Sequence, residues 1–331
     1  GSFMGRALSP MRDNSPMSEI ELHRKLLGDE ARNAAFHAAL KSVIVPGKST
    51  VADLGAGTGF LSFLARQLGA THCTLIEYTD TLNLAQELAR QNRIDGLSFI
   101  QGHSAELKRP PKVDIVVSET LGNYALEEGL LETLADARRY LKKNGVLIPC
   151  GLRQFVAPVL SPRLQDEIDI WPRVGYGIRL DEARRVSLNN MYVRRIETAD
   201  LGGDETLAKV WDRLEFRADA EPAPSLRRQS LHWSAKLLGE ASVHGWALWW
   251  EADLVPGISL STAPSAPATH WDQVYLPLLE PVRLAAGETL ELTLTSDTRA
   301  EVGVRVGWRS RRLAEGKALH TQDQDIMQGR L

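Results

Sequence analysis

Hydrophobic positions change their spacing twice along the chain. From Ser18, a residue suited to an N-cap, Ile20, His23, Leu26, Leu27, Ala31, Ala34, Ala35 and Ala38 recur at intervals of three and four. That spacing predicts one amphipathic helix with a single apolar stripe. After Pro46 and Gly47, short apolar runs alternate with longer helical patterns. Val51 to Leu54, His72 to Ile76, Leu97 to Ile100, Val113 to Val117 and Gly145 to Ile148 read as strands, with Phe60 to Leu68, Leu82 to Gln91 and Glu127 to Leu141 as the helices between them. Such alternation predicts crossover connections and a parallel sheet covered on both faces: an open α/β domain over residues 18–149, with ligands beyond the carboxyl ends of its strands.

Beyond Pro149 helical periodicity thins and two-residue alternation takes over, as in Leu231-His232-Trp233-Ser234-Ala235 and Leu290-Glu291-Leu292-Thr293-Leu294. Residues 150–331 are therefore expected to form mainly antiparallel strands in a barrel or sandwich, and all eight tryptophans lie there, as suits a core of large side chains. Residues 163–207 fit neither pattern, mixing Trp171, Tyr176, a charged run from Arg179 to Arg185 and Gly202-Gly203, and read as an excursion. The segment after Arg312 is polar and weakly patterned. Residues 1–17 lack an apolar period and are expected to be a disordered tail, with Gly1-Ser2-Phe3 reading as a vector remnant ahead of Met4.

Composition narrows the function classes. A chain of 331 residues exceeds the usual single core, which agrees with two domains. A net charge of -3, from 39 basic and 42 acidic residues, supplies no broad positive field, so no nucleic-acid partner is expected. Cys73 and Cys150 are too few for a disulfide framework or a four-cysteine zinc site; no metal is expected, and a reducing compartment, the cytoplasm, is. No apolar run approaches the ~20 residues that span a bilayer and no secretory signal opens the chain, so no membrane partner is expected.

The candidate chemistry lies at the strand ends of the first half. Val51-Ala52-Asp53-Leu54-Gly55-Ala56-Gly57-Thr58-Gly59 runs from the first strand into the first helix, where glycines allow a sharp turn and a close approach to a ligand. The dinucleotide fingerprint needs its third glycine at position 60, which is Phe60, and Asp53 precedes the first glycine; both differences favour S-adenosylmethionine over NAD. Glycine at such a turn can also be purely steric. Glu77, ending the second strand 24 residues after Asp53, stands where a carboxylate can accept both ribose hydroxyls; the bland alternative is a solvated strand end. Gly102-His103-Ser104-Ala105-Glu106 follows the third strand and should reach the adenine edge, which makes Ser104 and Glu106 candidates. The fourth strand ends in Ser118-Glu119, and Glu128 opens the next helical pattern nine residues later, so two carboxylates bracket one loop. They can converge on a planar, five-donor guanidinium, although two arbitrary glutamates at such places are more often solvated.

Ser118-Glu119-Thr120-Leu121-Gly122, then Glu128, Leu130-Leu131 and Leu141-Lys142-Lys143-Asn144-Gly145-Val146-Leu147-Ile148-Pro149 resemble the double-glutamate segment of protein arginine methyltransferases, and Thr269-His270-Trp271 resembles that family's Thr-His-Trp loop. His23, Leu26, Asp29 and Arg32, spaced by threes, resemble its cofactor-covering helix. The resemblance runs from about Ser18 to Arg309 and implies a Rossmann-like S-adenosylmethionine domain, an antiparallel β-barrel domain carrying a dimerisation arm, here residues 163–207, and a homodimer. It further implies that Arg32 pairs with the methionyl carboxylate, His23 covers the cofactor, Asp29 pairs with His270, and Trp271 borders the substrate. Departures are the missing Tyr-Phe-x-x-Tyr element before Ser18, Thr120 in place of an aromatic residue, and Ala105 where an acid is expected, with Glu106 beside it.

The implied activity is methyl transfer to a guanidino nitrogen of arginine in a protein or peptide, with Glu119 and Glu128 as clamp and Asp29 and His270 as partners in catalysis. The missing N-terminal element leaves free arginine or a small guanidino metabolite as an alternative substrate. A non-catalytic cofactor-binding module is the alternative of another class, and a methyltransferase for another acceptor follows if the two glutamates are merely solvated.

Overall fold

The computed structural model describes residues 18–331; the expected tail and vector remnant lie outside them. Two short helices come first, α1 (Glu19–Leu27) and α2 (Glu30–Val43). The single helix expected here is broken at Gly28, because Asp29 takes an extended backbone and its side chain caps α2 by accepting the Arg32 N–H.

Then follow β1 (Thr50–Leu54), α3 (Phe60–Gln67), β2 (His72–Glu77), α4 (Thr81–Gln91), β3 (Leu97–Gln101), β4 (Val113–Val117), α5 (Leu130–Asp136) and β5 (Leu141–Ile148). All neighbouring strands are parallel, in the order β3-β2-β1-β4-β5. The order reverses between β1 and β4, so the crevice outside the carboxyl ends of those strands is where such a sheet binds its ligands. Each expected strand is present. The helix expected over Glu127–Leu141 is shorter, because Gly129 adopts a left-handed backbone (φ 79°) and Leu141 already belongs to β5.

The remainder is antiparallel, with one helical excursion. It comprises β6 (Gly151–Val159), α6 (Arg163–Ile168), α7 (Asp181–Ser187), β7 (Tyr192–Arg194), β8 (Lys209–Glu215), β9 (Leu226–Ser234), α8 (Ala235–Leu238), β10 (Val243–Val255), β11 (Ile258–Ser261), β12 (Gln273–Val282), β13 (Glu288–Asp297), β14 (Arg305–Ala314) and β15 (Lys317–Asp325). One sheet runs β7-β12-β10-β6-β8 with β11 on β10, the other β15-β14-β13-β9. The polar C-terminal segment is thus a strand; its inward positions Gln322 and Gln324 are buried and hydrogen-bonded to the backbone. A continuous apolar core joins the two halves, from Phe36 and Leu54 through Leu121 and Tyr124 to Trp250, Trp271 and Trp308. Among the described residues no helix is long and apolar enough to cross a membrane.

Candidate active site

The glycine loop folds back over the end of β2. Gly55 and Ala56 donate their N–H groups to Ile76 O at 2.9 and 3.1 Å, and the Gly57 N–H donates to Glu77 Oε1 at 3.0 Å. Glu77 Oε2 accepts from Thr79 N at 2.9 Å, so backbone N–H groups orient both carboxylate oxygens, each of which keeps acceptor capacity. At Gly57 (φ 55°) a Cβ would sit 3.1 Å from the His23 ring; at Gly59 (φ 83°) one would sit 2.9 Å from Leu75 Cδ2 and Phe63 Cζ. The first glycine lets α1 close over the loop, and the second lets α3 pack onto β2. Asp53 lies buried beneath the loop, accepting from Ser62 Oγ at 2.7 Å. Burial, reinforced by the nearby Glu77 charge, pushes its carboxyl up to about 6 against the opposing Ser62 hydrogen bond and Arg32 charge. It supports the loop from below.

Asp29 divides its two oxygens. Oδ1 caps α2, while Oδ2 accepts from His270 N at 2.8 Å and lies 2.6 Å from His270 Nδ1, a contact between residues 241 apart in sequence. Burial alone would raise the Asp29 carboxyl, but the hydrogen bonds from His270 and from Arg32 N outweigh it and hold it below the usual carboxylate value. One turn into α2, Arg32 pairs with Glu119: Nε to Oε2 is 2.8 Å and Nη2 to Oε2 is 2.7 Å, with the two side chains only 7% and 5% exposed. Arg32 Nη1 donates to Asn33 Oδ1 at 2.9 Å. His23, Asp29, Arg32, Gly57, Glu77, Glu119 and His270 thus come together at the carboxyl end of the parallel sheet.

Glu128 stands exposed in the turn before Gly129 rather than opening a helix. The stretch leading to it is held by the antiparallel half: Trp271 Nε1 donates to Leu121 O at 2.8 Å, Trp250 Nε1 to Gly122 O at 2.9 Å, and Asp272 N to Asn123 Oδ1 at 2.9 Å. Trp271, expected to border the substrate, is buried against Trp250 with its indole N–H committed to the loop backbone. Ser104 and Glu106 form a single 3₁₀ turn, in which the Ser104 carbonyl accepts from Tyr140 Oη at 2.7 Å and Glu106 is exposed. No hydrogen bond joins either side chain to the other candidates. Beside them, Tyr78 and His103 stack with ring centroids 4.5 Å apart. Sequence reasoning missed that pair and also Trp250, whose place in an apolar strand gives no hint of a polar duty.

Residues 47–174 match a methyltransferase domain model, and residues 153–308 match the arginine methyltransferase oligomerization subdomain. The chain belongs to the protein arginine methyltransferase family. It is similar to the histone-arginine methyltransferase CARMER of Drosophila persimilis, 29% identical over 284 residues that cover 82% of this chain and 52% of that one. It is also similar to a probable protein arginine N-methyltransferase 6.2 of Oryza sativa subsp. indica, 27% identical over 318 residues covering 84% and 79%. This family member therefore spans about half the length of the CARMER relatives it matches. In fold it resembles the Trypanosoma brucei PRMT1 enzyme–prozyme heterotetrameric complex with AdoHcy (TM-score 0.78, 24% identity, covering 92% of this chain and 98% of that one). Protein arginine methyltransferase 10 of Arabidopsis thaliana is similar at TM-score 0.76 and 21% identity, covering 92% and 97%.

Proposed function

We propose that this protein transfers a methyl group from S-adenosylmethionine to a guanidino nitrogen of arginine in a protein or peptide. The observation that carries the reading is the buried carboxylate of Glu119 at the end of β4, already holding a guanidinium, that of Arg32, at 2.7 Å. Both Arg32 contacts fall on Oε2, so Oε1, which takes only the Leu121 N–H at 3.2 Å, keeps acceptor capacity for a second guanidinium. The donor side fits as well, with the cradle at Gly57, Glu77 aimed by two backbone N–H groups for a ribose, and Arg32 retaining donors for a carboxylate.

S-adenosylmethionine supplies an electrophilic sulfonium methyl when bound. Glu119 orients the substrate guanidinium and draws its positive charge toward the bound nitrogens, leaving electron density on the attacking one. Glu128, nine residues on, is the second carboxylate of the clamp in this reading. Asp29 accepts from His270 Nδ1–H and so fixes the ring with Nε2 as the acceptor, one route for the proton the product nitrogen loses; Glu128 is the other. Assembly as a homodimer through residues 163–207 belongs to the same reading, since Ile170, Val174, Tyr176 and Ile178 are exposed there.

Product mass spectrometry over a panel of arginine peptides, free arginine and small guanidino compounds tests the substrate class. Glu119→Gln and Glu128→Gln should each retain cofactor binding and lose methyl transfer by about 100-fold or more. Full turnover in both variants would remove the clamp, and turnover of free arginine alone would replace the protein substrate.

A further inference from the structure

We propose that the end of β13 is a two-point clamp that sets the position of Glu128, with Tyr124 and Glu132 as positioning residues and Ser296 and Thr298 as their anchors. The inference rests on the role given to Glu128 above. Glu128 lies four residues after Tyr124 and four before Glu132. The Tyr124 hydroxyl hydrogen-bonds the Ser296 hydroxyl, both groups fully buried. On the far side of the turn, Glu132 Oε1 accepts from Thr298 Oγ1 at 2.5 Å and from Ser225 Oγ at 2.9 Å. The two anchors are two residues apart at one strand end, so both feet of the turn stand on the same short piece of backbone.

Between the feet the turn closes on itself. Glu127 N donates to Tyr124 O at 3.0 Å and Gly129 N to Leu126 O at 3.3 Å, so a shift at Tyr124 is handed to the residue beside Glu128. Packing does not require the phenol hydroxyl, since phenylalanine would fill the same apolar space. A buried hydroxyl is retained without loss only where it has a partner, and here the partner belongs to the opposite half of the molecule. Nor is the anchor soft: β13 is paired on both sides, by β9 and β14, from Thr289 to its last residue Asp297, and just beyond it Thr298 N donates to Ser225 O at 3.1 Å. The antiparallel half thereby fixes not only the floor of the loop, through Trp250 and Trp271, but also the reach of its exposed carboxylate.

Tyr124→Phe removes one foot, and Thr298→Val takes from the other its shortest hydrogen bond, leaving only that from Ser225 Oγ. Displacement of a reacting group by about 1 Å can cost about 100-fold, so kcat on an arginine peptide should fall at least tenfold in each, with the Kd for S-adenosylmethionine within twofold of the unsubstituted protein. The double variant should lose little more than either single one, because one released foot already frees the turn. Ser230→Ala, which breaks the Ser230–Thr293 hydroxyl pair elsewhere on β9 and β13, should leave kcat unchanged. Hydrogen exchange gives a readout that does not depend on turnover: the Glu127 and Gly129 amides should exchange faster in Tyr124→Phe, and those of α2 should not. Unchanged kcat and unchanged exchange in both single variants would overturn the clamp, as would an equal loss in Ser230→Ala. Inactivity of the unsubstituted protein on every guanidino substrate would count against the reading of function, while the exchange rates still decide the clamp.

Discussion

Arg32 and Glu119 show what the site demands of single side chains. Two charges almost out of water are tolerable only as a hydrogen-bonded pair, and each would be strongly destabilising alone. Asp53, fully buried below them, is partnered by Ser62, through its hydroxyl at 2.7 Å and its backbone, and by no opposite charge in direct contact. Its carboxyl rises from an ordinary value near 4 to about 6, so folding takes up a proton between those values. The stability this gives is complete below pH ~4 and lost as pH rises through about 6. Asp53→Asn has nothing to titrate, so its stability relative to the unsubstituted protein should increase by up to about 3 kcal/mol from pH 4 to pH 8, at about 1.4 kcal/mol per pKa unit. Urea unfolding at the two pH values measures it; a difference that stays constant would mean that Asp53 keeps its charge throughout. At this scale the sequence is informative where chemistry and position coincide, as for Glu77 and Glu119 at strand ends. It is silent where one residue type serves either packing or positioning: Trp271 resembles a substrate wall, and Tyr124 and Glu132 resemble any loop tyrosine and any helix glutamate.

Elements were legible in proportion to how strongly one face is apolar. Of the five parallel strands, β1, β2 and β4 are almost wholly buried and stand out as apolar runs. The break between α1 and α2 was hidden because Leu27 and Ala31 continue the stripe across Gly28 and Asp29, so periodicity alone cannot see that Asp29 leaves helical geometry to cap the next helix. The strand β15 was hidden for the opposite reason. Its inward positions are Gln322 and Gln324, buried by hydrogen bonds to Glu280 O and Pro277 O rather than by apolar contact, so the alternation exists in burial but not in hydropathy. In residues 163–207 the helices are only six and seven residues long, below the length at which a 3.6-residue period can be distinguished.

For the molecule as a whole, that excursion leaves Tyr176 94% exposed with Ile170, Val174 and Ile178 near it in sequence, an apolar surface that a second copy would cover in the proposed homodimer. Sedimentation equilibrium should show a dimer, and Tyr176→Asp with Ile178→Asp a folded monomer; an unsubstituted monomer at micromolar concentration would exclude the arm. The two halves also meet at Asp29, which serves a helix with one oxygen and a distant loop with the other. Asparagine is as good an N-cap as aspartate, because its carbonyl oxygen can take the place of Oδ1. Its amide nitrogen, however, would turn two more hydrogens toward the His270 N–H, where only an acceptor fits. Asp29→Asn should therefore be a separation-of-function allele: α2 intact by circular dichroism and cofactor still bound, yet the histidine loop detached and turnover reduced by about tenfold or more. Helix integrity and the docking of the histidine loop share a single carboxylate, and a change of one atom tells them apart.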